Sequence, residues 1–200
     1  MHAMTPNDEW GLVGKVAIVT GGGAADDGIG NGRASAILLA RAGAKVLVVD
    51  RDLTRAERTV SMIADEGGNA VAASYDVTSS TQCAAMVEDA VSRWGRLDYL
   101  DNNVGIGSRG TVVEETEENW THVMHVNVDT MFLSCKHAIP AMVRTAGGGA
   151  IVNVSSISAL RPRGLTAYTV SKGAVIALTR AIAVDHGADG LFARYDGSGA

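Results

Sequence analysis

Residues 15–50 hold the pattern that most restricts what this chain can become. KVAIVT at 15–20, a short apolar run rich in β-branched residues, leads into the turn GGGAADDGIGNG at 21–32 and then the helix-forming stretch RASAILLARAG. A second apolar run, KVLVV at 45–49, follows and ends at Asp50. Strand, glycine-rich turn and helix, with an acid 20 residues beyond Gly30, are the parts of a dinucleotide-binding unit. Glycines let the backbone approach a pyrophosphate, and the helix start offers unpaired N–H groups and its positive dipole end to that anion. The acid accepts hydrogen bonds from ribose hydroxyls. A glycine run alone reads as a flexible loop, but both flanking strands and the acid stand in place here.

The alternation continues along the chain. The pattern predicts a helix over 53–66, a strand at 69–75, a helix near 79–94, a short strand at 97–100 and a long helix near 117–145. After glycines at 147–149, AIVNV gives a fifth strand, SSISALRPRGL a loop, and 167–187 a further helix. Continuously apolar strands separated by amphipathic helices indicate a Rossmann-type doubly wound parallel sheet, a three-layer α/β/α sandwich. Two hundred residues, 46% of them apolar, suit one domain spanning 1–200. Thr20, Asp50, Asp76, Asn102 and Ser156 fall at or just after strand ends, where open parallel sheets bind ligands.

Tyr168 and Lys172 are four residues apart on a predicted helix, hence on one face. An ammonium beside a phenol favours the phenolate and suits the pair to acid–base work. Ser155 and Ser156, at the end of the fifth strand, offer a hydroxyl to a substrate oxygen. Net charge of −5 and the lack of a basic stripe argue against nucleic-acid binding, Arg161 and Arg163 being too few. No apolar run nears the ~20 residues of a membrane helix, and MHAMTPNDEW has no signal-peptide core, so a cytoplasmic protein is expected. Cys83 and Cys135 lack metal-type spacing and read as buried thiols. His122, His125 and Asp129 share a helix face without a second cluster to complete a metal shell, and no metal is expected. No nucleophile elbow or phosphate-transfer lysine motif occurs.

With these motifs in this order, residues 13–190 resemble the short-chain dehydrogenase/reductase family. The resemblance implies a cofactor turn at 20–30 with Thr20, Gly21, Gly22, Gly28, Ile29 and Gly30, and Gly21, Gly28 and Gly30 as its close-approach positions. It further implies an adenine-side pair, Asp76 and Val77, and a cleft-lining element at 102–105 that includes Asn103, Val104 and Gly105. Asn127 falls where the family keeps an Asn that holds a water in a proton relay, and Ser156, Tyr168 and Lys172 match the catalytic trio. Tyr168 and Lys172 would also meet the cofactor. The turn carries a three-residue insertion, and Asp101 and Val104 replace an apolar and a small residue. The interval from Ser156 to Tyr168 is one residue short, leaving Ser155 a rival. After AVDHGADG the chain reads LFARYDGSGA in place of the family's further strand, Pro-Gly turn and covering helix. Residues 191–200 are accordingly expected to be an atypical tail of a truncated sheet that lacks its last strand or strands.

The resemblance implies hydride transfer between NAD(H) and a secondary alcohol or ketone. Asp50 would repel the extra phosphate of NADP, and Asp27 adds a second carboxylate; Arg51 is the counter-argument, so NADP is the lesser expectation. A catalytically impaired dinucleotide-binding protein and a nucleotide-sugar epimerase or dehydratase are the alternatives. Relatives pair the helices matching 117–145 and 167–187 across a twofold axis, which implies a homodimer.

Overall fold

The computed structural model describes residues 8–25 and 28–197 of the chain. Six strands, β1 (Val16–Thr20), β2 (Lys45–Asp50), β3 (Asn69–Ser74), β4 (Tyr99–Asn102), β5 (Gly149–Val154) and β6 (Leu191–Asp196), form one sheet in the order β3-β2-β1-β4-β5-β6. Every neighbouring pair is parallel. Strand order reverses between β1 and β4, and the crevice at that switch point is where such sheets take ligands. The strand-end expectation holds: Thr20, Asp50 and Asn102 close β1, β2 and β4, and Asp76 and Ser156 each lie two residues past a strand.

Helices α1 (Asn31–Arg41) and α2 (Leu53–Asp65) cover one face; α3 (Ser80–Trp94), α5 (Thr130–Ala146) and α6 (Thr166–His186) cover the other. β1 is buried at all five residues and divides them by the strand period of two. Ala17 and Val19 pack with Ala36, Ile37, Val46 and Ile63. Val16 and Ile18 pack with Leu47, Met86, Leu100, Met142 and Ile151. Caps bound the helices where the sequence changes character: Asp52 accepts from Thr54 N at 3.1 Å to start α2, and Gly95 turns left-handed (φ 77°) to stop α3.

At the start of the β1–β4 ladder, Asp98 accepts from Val16 N at 2.9 Å and from Arg96 through both carboxylate oxygens, at 2.8 and 2.6 Å, with Lys15 at 3.3 Å. Burial pushes this carboxyl up, but the hydrogen bonds from Arg96 and Val16 and the nearby cations outweigh it and hold it below the usual carboxylate range.

Three sequence expectations change. The long helix is two helices, α4 (Glu117–Met124) and α5, joined through a π turn at His125–Asp129. Residues 191–196 are not a tail outside the sheet; they pair with β5 from Gly149↔Leu191 to Val154↔Asp196. Leu191 and Ala193 alternate inward against the α6-side core while Phe192 and Arg194 face out, a pattern of period two that suits a strand. Finally, one segment, Thr166–Asp189, is long and apolar enough by length and composition to cross a membrane, with mean hydropathy 1.2. Its Lys172, Val175, Thr179 and Ile182 are buried against the sheet and its neighbours, which explains the apolar content as core packing.

Candidate active site

The turn after β1 is shaped by glycines that admit no side chain. Gly21 sits at φ 63°, and a Cβ there would come within 3.2 Å of Val104 N. On Gly22 it would meet Val48 Cγ1 at 2.7 Å, on Gly23 the Asp50 carboxylate at 2.6 Å, and on Gly32 it would overlap the Gly21 carbonyl. At Gly28 and Gly30 the nearest atoms stand at 3.6 and 3.7 Å, and Ile29 is largely exposed. The tight packing of helix on turn therefore belongs to Gly32, two residues beyond the last glycine singled out in the sequence. The overlapping Gly30-Asn31-Gly32 was the available signal. α1 begins at Asn31 with Gly30 as an N-cap that has no side-chain cap, and there is no acid in its first turn. Those N–H groups suit an anion. Asp27 lies outside the described residues.

Beside the turn opens a cleft of about 350 Å³. Gly21, Asp50, Arg51, Asp76 and Val77 line one part of it, and Asn103, Val104 and Gly105 another. Asp50 is held on both oxygens, Oδ2 by Gly23 N at 3.2 Å and Oδ1 by Asp52 N at 3.0 Å. The Thr78 hydroxyl and N–H bind Asp76 Oδ1 at 2.7 and 2.9 Å and keep that carboxyl below its ordinary range. Asn103 also borders the depression beneath α1, where its side chain lies close enough to the Asp101 carboxyl to lower it against the effect of burial. Arg55 and His122 also line the cleft; the sequence pattern does not mark Arg55, and it marks His122 only as part of a helix face without a complete metal shell. Thr20 faces the sheet instead, its Oγ1 3.4 Å from Asn102 Oδ1. Asp101 faces a separate depression beneath α1, where burial pushes its carboxyl up.

At the other end of the crevice the π turn places Asn127, fully buried, against the loop after β4. Its Oδ1 accepts from Ile106 N at 2.7 Å, and its Nδ2 donates to Ile106 O and Ser171 Oγ, both at 2.9 Å. Gly105 lies between Asn127 and Lys172: a Cβ there would stand 3.4 Å from Asn127 Oδ1 and 3.1 Å from Lys172 Nζ. Lys172, 3% exposed, donates to Val154 O at 2.8 Å and sits 5.8 Å from the centre of the Tyr168 ring. Burial lowers its ammonium from the ordinary 10.5 to about 8. Tyr168 is fixed from outside its helix, because Ser108 Oγ accepts from Tyr168 N at 3.0 Å; nothing in the sequence pattern marks Ser108 for this. Of the serine pair, Ser155 Oγ donates to Lys172 O at 2.8 Å, a structural bond inside the fold, whereas Ser156 Oγ accepts from Ser158 N at 3.2 Å on the loop side. His125 Nδ1 lies 2.9 Å from Asp129 Oδ2, and Cys83 and Cys135 are buried free thiols as expected.

Comparison with known proteins agrees with this geometry. The sequence model described as short chain dehydrogenase matches residues 15–192. An uncharacterized oxidoreductase of Thermotoga maritima is 40% identical over 175 residues, 86% of this chain and 66% of that one. Cyclohexanol dehydrogenase of Acinetobacter sp. is 37% identical over 179 residues, 88% of this chain and 69% of that one. The crystal structure of a short chain dehydrogenase from Mycobacterium smegmatis superposes with a TM-score of 0.86 at 32% identity, over 92% of this chain and 76% of that one. The chain thus spans about two thirds of the length of these curated relatives. A parallel sheet in this strand order, a glycine-shaped turn and a Tyr168–Lys172 pair beside the switch-point cleft, together with these matches, place the chain in the short-chain dehydrogenase family.

Proposed function

We propose that this chain is the dinucleotide-binding and catalytic part of an NAD-dependent dehydrogenase acting on a secondary alcohol or ketone. The observation that carries the proposal is the convergence of Asn127, Gly105, Lys172 and Tyr168 at the end of the cleft that Asp50 and Asp76 border. The residues present fit a dinucleotide: Gly28 and Gly30 stand open beside a helix start that has no side-chain cap, and Lys172 Nζ has donors beyond its one bond to Val154 O. Gly21, Gly22, Gly28, Ile29 and Gly30, with the helix start beside them, would hold the phosphates, while Thr20, turned into the sheet, would only support the turn. Asp50 and Arg51 would meet the adenosine ribose, Asp76 and Val77 the adenine side, and Asn103, Val104 and Gly105 the nicotinamide half. A nicotinamide dinucleotide supplies the hydride acceptor or donor.

The chain's own groups handle the proton and the geometry. Tyr168 takes the substrate hydroxyl proton in oxidation and returns it in reduction, while Ser156 holds the substrate oxygen. Lys172 places its ammonium 5.8 Å from the centre of the Tyr168 ring, within the same end of the cleft. Asn127 fixes the loop after β4 to α6 through Ile106 and Ser171, and so sets the wall of the proton path. A free ribose diol suits the Asp50 carboxylate, which makes NAD the preferred form over NADP. Two buried free thiols suit the reducing cytoplasm. Alcohol substrates extend to this chain what the name of the Acinetobacter relative says of that protein.

The test is turnover of a panel of secondary alcohols with NAD by wild type and Tyr168→Phe. Loss of at least ~10²-fold in kcat with NADH affinity unchanged is expected. Wild-type rates in the variant would overturn the assignment.

A further inference from the structure

We infer that Arg33 and Thr59 form a buried positioning pair that sets the peptide orientations of the glycine-rich turn and, through them, the affinity for the dinucleotide and the choice between its two forms. The inference rests on the cofactor reading above and adds two residues that neither the motif pattern nor the catalytic geometry assigns. Arg33, on the first turn of α1, and Thr59, on α2, are both fully buried. Arg33 donates through Nη1 to Gly28 O at 2.5 Å, through Nη2 to Ala24 O at 3.4 Å and through Nε to Thr59 Oγ1 at 3.1 Å. Thr59 Oγ1 in turn donates to Gly22 O at 2.8 Å. One guanidinium and one hydroxyl therefore gather the carbonyls of Gly22, Ala24 and Gly28 to the same side.

Peptide planarity makes this consequential. In a trans peptide the carbonyl of one residue and the N–H of the next point in opposite directions. With those three carbonyls drawn inward, the N–H groups of Gly23, Ala25 and Ile29 are turned away from Arg33. Gly23 displays the outcome: its N–H reaches Asp50 Oδ2 at 3.2 Å. Asp50 is thus oriented by the turn, and the turn by Arg33 and Thr59. A fully desolvated guanidinium is weak as a source of stability, since its hydration is lost on burial. Its planar fork of donors suits it to fixing several acceptors at once, which a lysine cannot copy.

The experiment titrates NADH and NADPH by fluorescence against wild type, Thr59→Val, Thr59→Ser, Arg33→Met and Arg33→Lys, with a thermal melt of each and kcat at saturating NAD. Expected are a weakening of NADH binding by at least about tenfold in Thr59→Val, Arg33→Met and Arg33→Lys, corresponding to one ordering hydrogen bond lost, and a narrowed preference for NADH over NADPH. Thr59→Ser, which keeps the hydroxyl, should restore both, and kcat should stay within about threefold of wild type throughout. If either Arg33 variant fails to fold, Thr59→Val and Thr59→Ser decide the matter, because they differ from wild type by one hydroxyl and one methyl. Wild-type NADH affinity and an unchanged NADH-to-NADPH ratio in Thr59→Val would overturn the inference. Failure of the wild-type chain to bind either dinucleotide would instead overturn the cofactor reading and this inference with it.

Discussion

Lys172→Met is the substitution whose effect on stability the structure specifies most closely. The side chain is 3% exposed, its one described acceptor is Val154 O, and burial lowers its ammonium from 10.5 to about 8. That difference corresponds to a penalty of about 3 kcal/mol for keeping the charged form in the fold at neutral pH. The unfolded chain binds more protons than the folded one between pH 8 and 10.5, so this group makes the protein more stable as pH rises through that window. Between pH 7 and 9.5 the contribution is about 2 kcal/mol. Methionine fills a similar volume and carries no charge; it removes the penalty but forfeits a charged hydrogen bond of about 1.5–3 kcal/mol. At pH 7 the two changes nearly cancel, and the variant should unfold in urea within about 1 kcal/mol of wild type. At pH 9.5 the wild type should have gained about 2 kcal/mol over the variant, while the variant's turnover falls by at least ~10²-fold. Taking the difference between the two proteins cancels the thiols and other groups that titrate in the same range. Equal stability gaps at pH 7 and 9.5 would show that Lys172 is not a desolvated cation and would refute the reasoning.

Asp50→Ala should shift the NAD-to-NADP preference towards NADP by ~1–3 kcal/mol, read as a ratio of dissociation constants; tighter binding of NADP by the unmodified protein would contradict the charge argument. Asp98→Asn should lower stability by about 1–3 kcal/mol at pH 7, since it leaves Arg96 and the start of the β1–β4 ladder without their carboxylate. Because the Asp98 carboxyl is held below its ordinary range, its contribution is present above that range and lost as pH falls through its folded value. Urea melts of the variant should therefore decline less between pH 5 and 2.5 than those of wild type. Trp120 and Phe132, on α4 and α5, and Val170 and Val184, on α6, are exposed apolar residues that suit an isologous dimer through these helices. Light scattering should give twice the chain mass, and a stable monomer would remove that expectation.

How far the sequence discloses the molecule depends on whether local pattern or tertiary contact decides each feature. Strand and helix existence was legible because a parallel sheet buried on both faces needs runs such as VAIVT and KVLVV, which no other element uses so economically. The pairing of Tyr168 with Lys172 was legible because helical spacing alone brings them to one face. The choice between Ser155 and Ser156 was not: both sit past β5, and only the bond from Ser155 to Lys172 O shows which of them faces the interior. The same holds for β6, where six residues read as a tail until the neighbouring strand supplies hydrogen bonds and a face for Leu191.

The glycine-rich turn shows the limit most clearly, because composition there says that the backbone is free and says nothing of what restrains it. Gly28 and Gly30 look equivalent to Gly32 in the sequence, yet only at Gly32 would a Cβ overlap another backbone, the carbonyl of Gly21. What restrains the turn comes from two helices, through Arg33 just beyond it and Thr59 37 residues past Gly22, whose residue types are ordinary on helix surfaces and become informative only when found fully buried. The π turn at His125–Asp129 follows the same logic. HVNVD carries no signature of its own, and the extra residue in the helix is accounted for by the bonds Asn127 makes to Ile106 and Ser171, groups that are 21 and 44 residues away in the chain. In both places the local backbone departs from regular geometry where it meets the crevice, and in both a buried polar side chain with several partners holds it there.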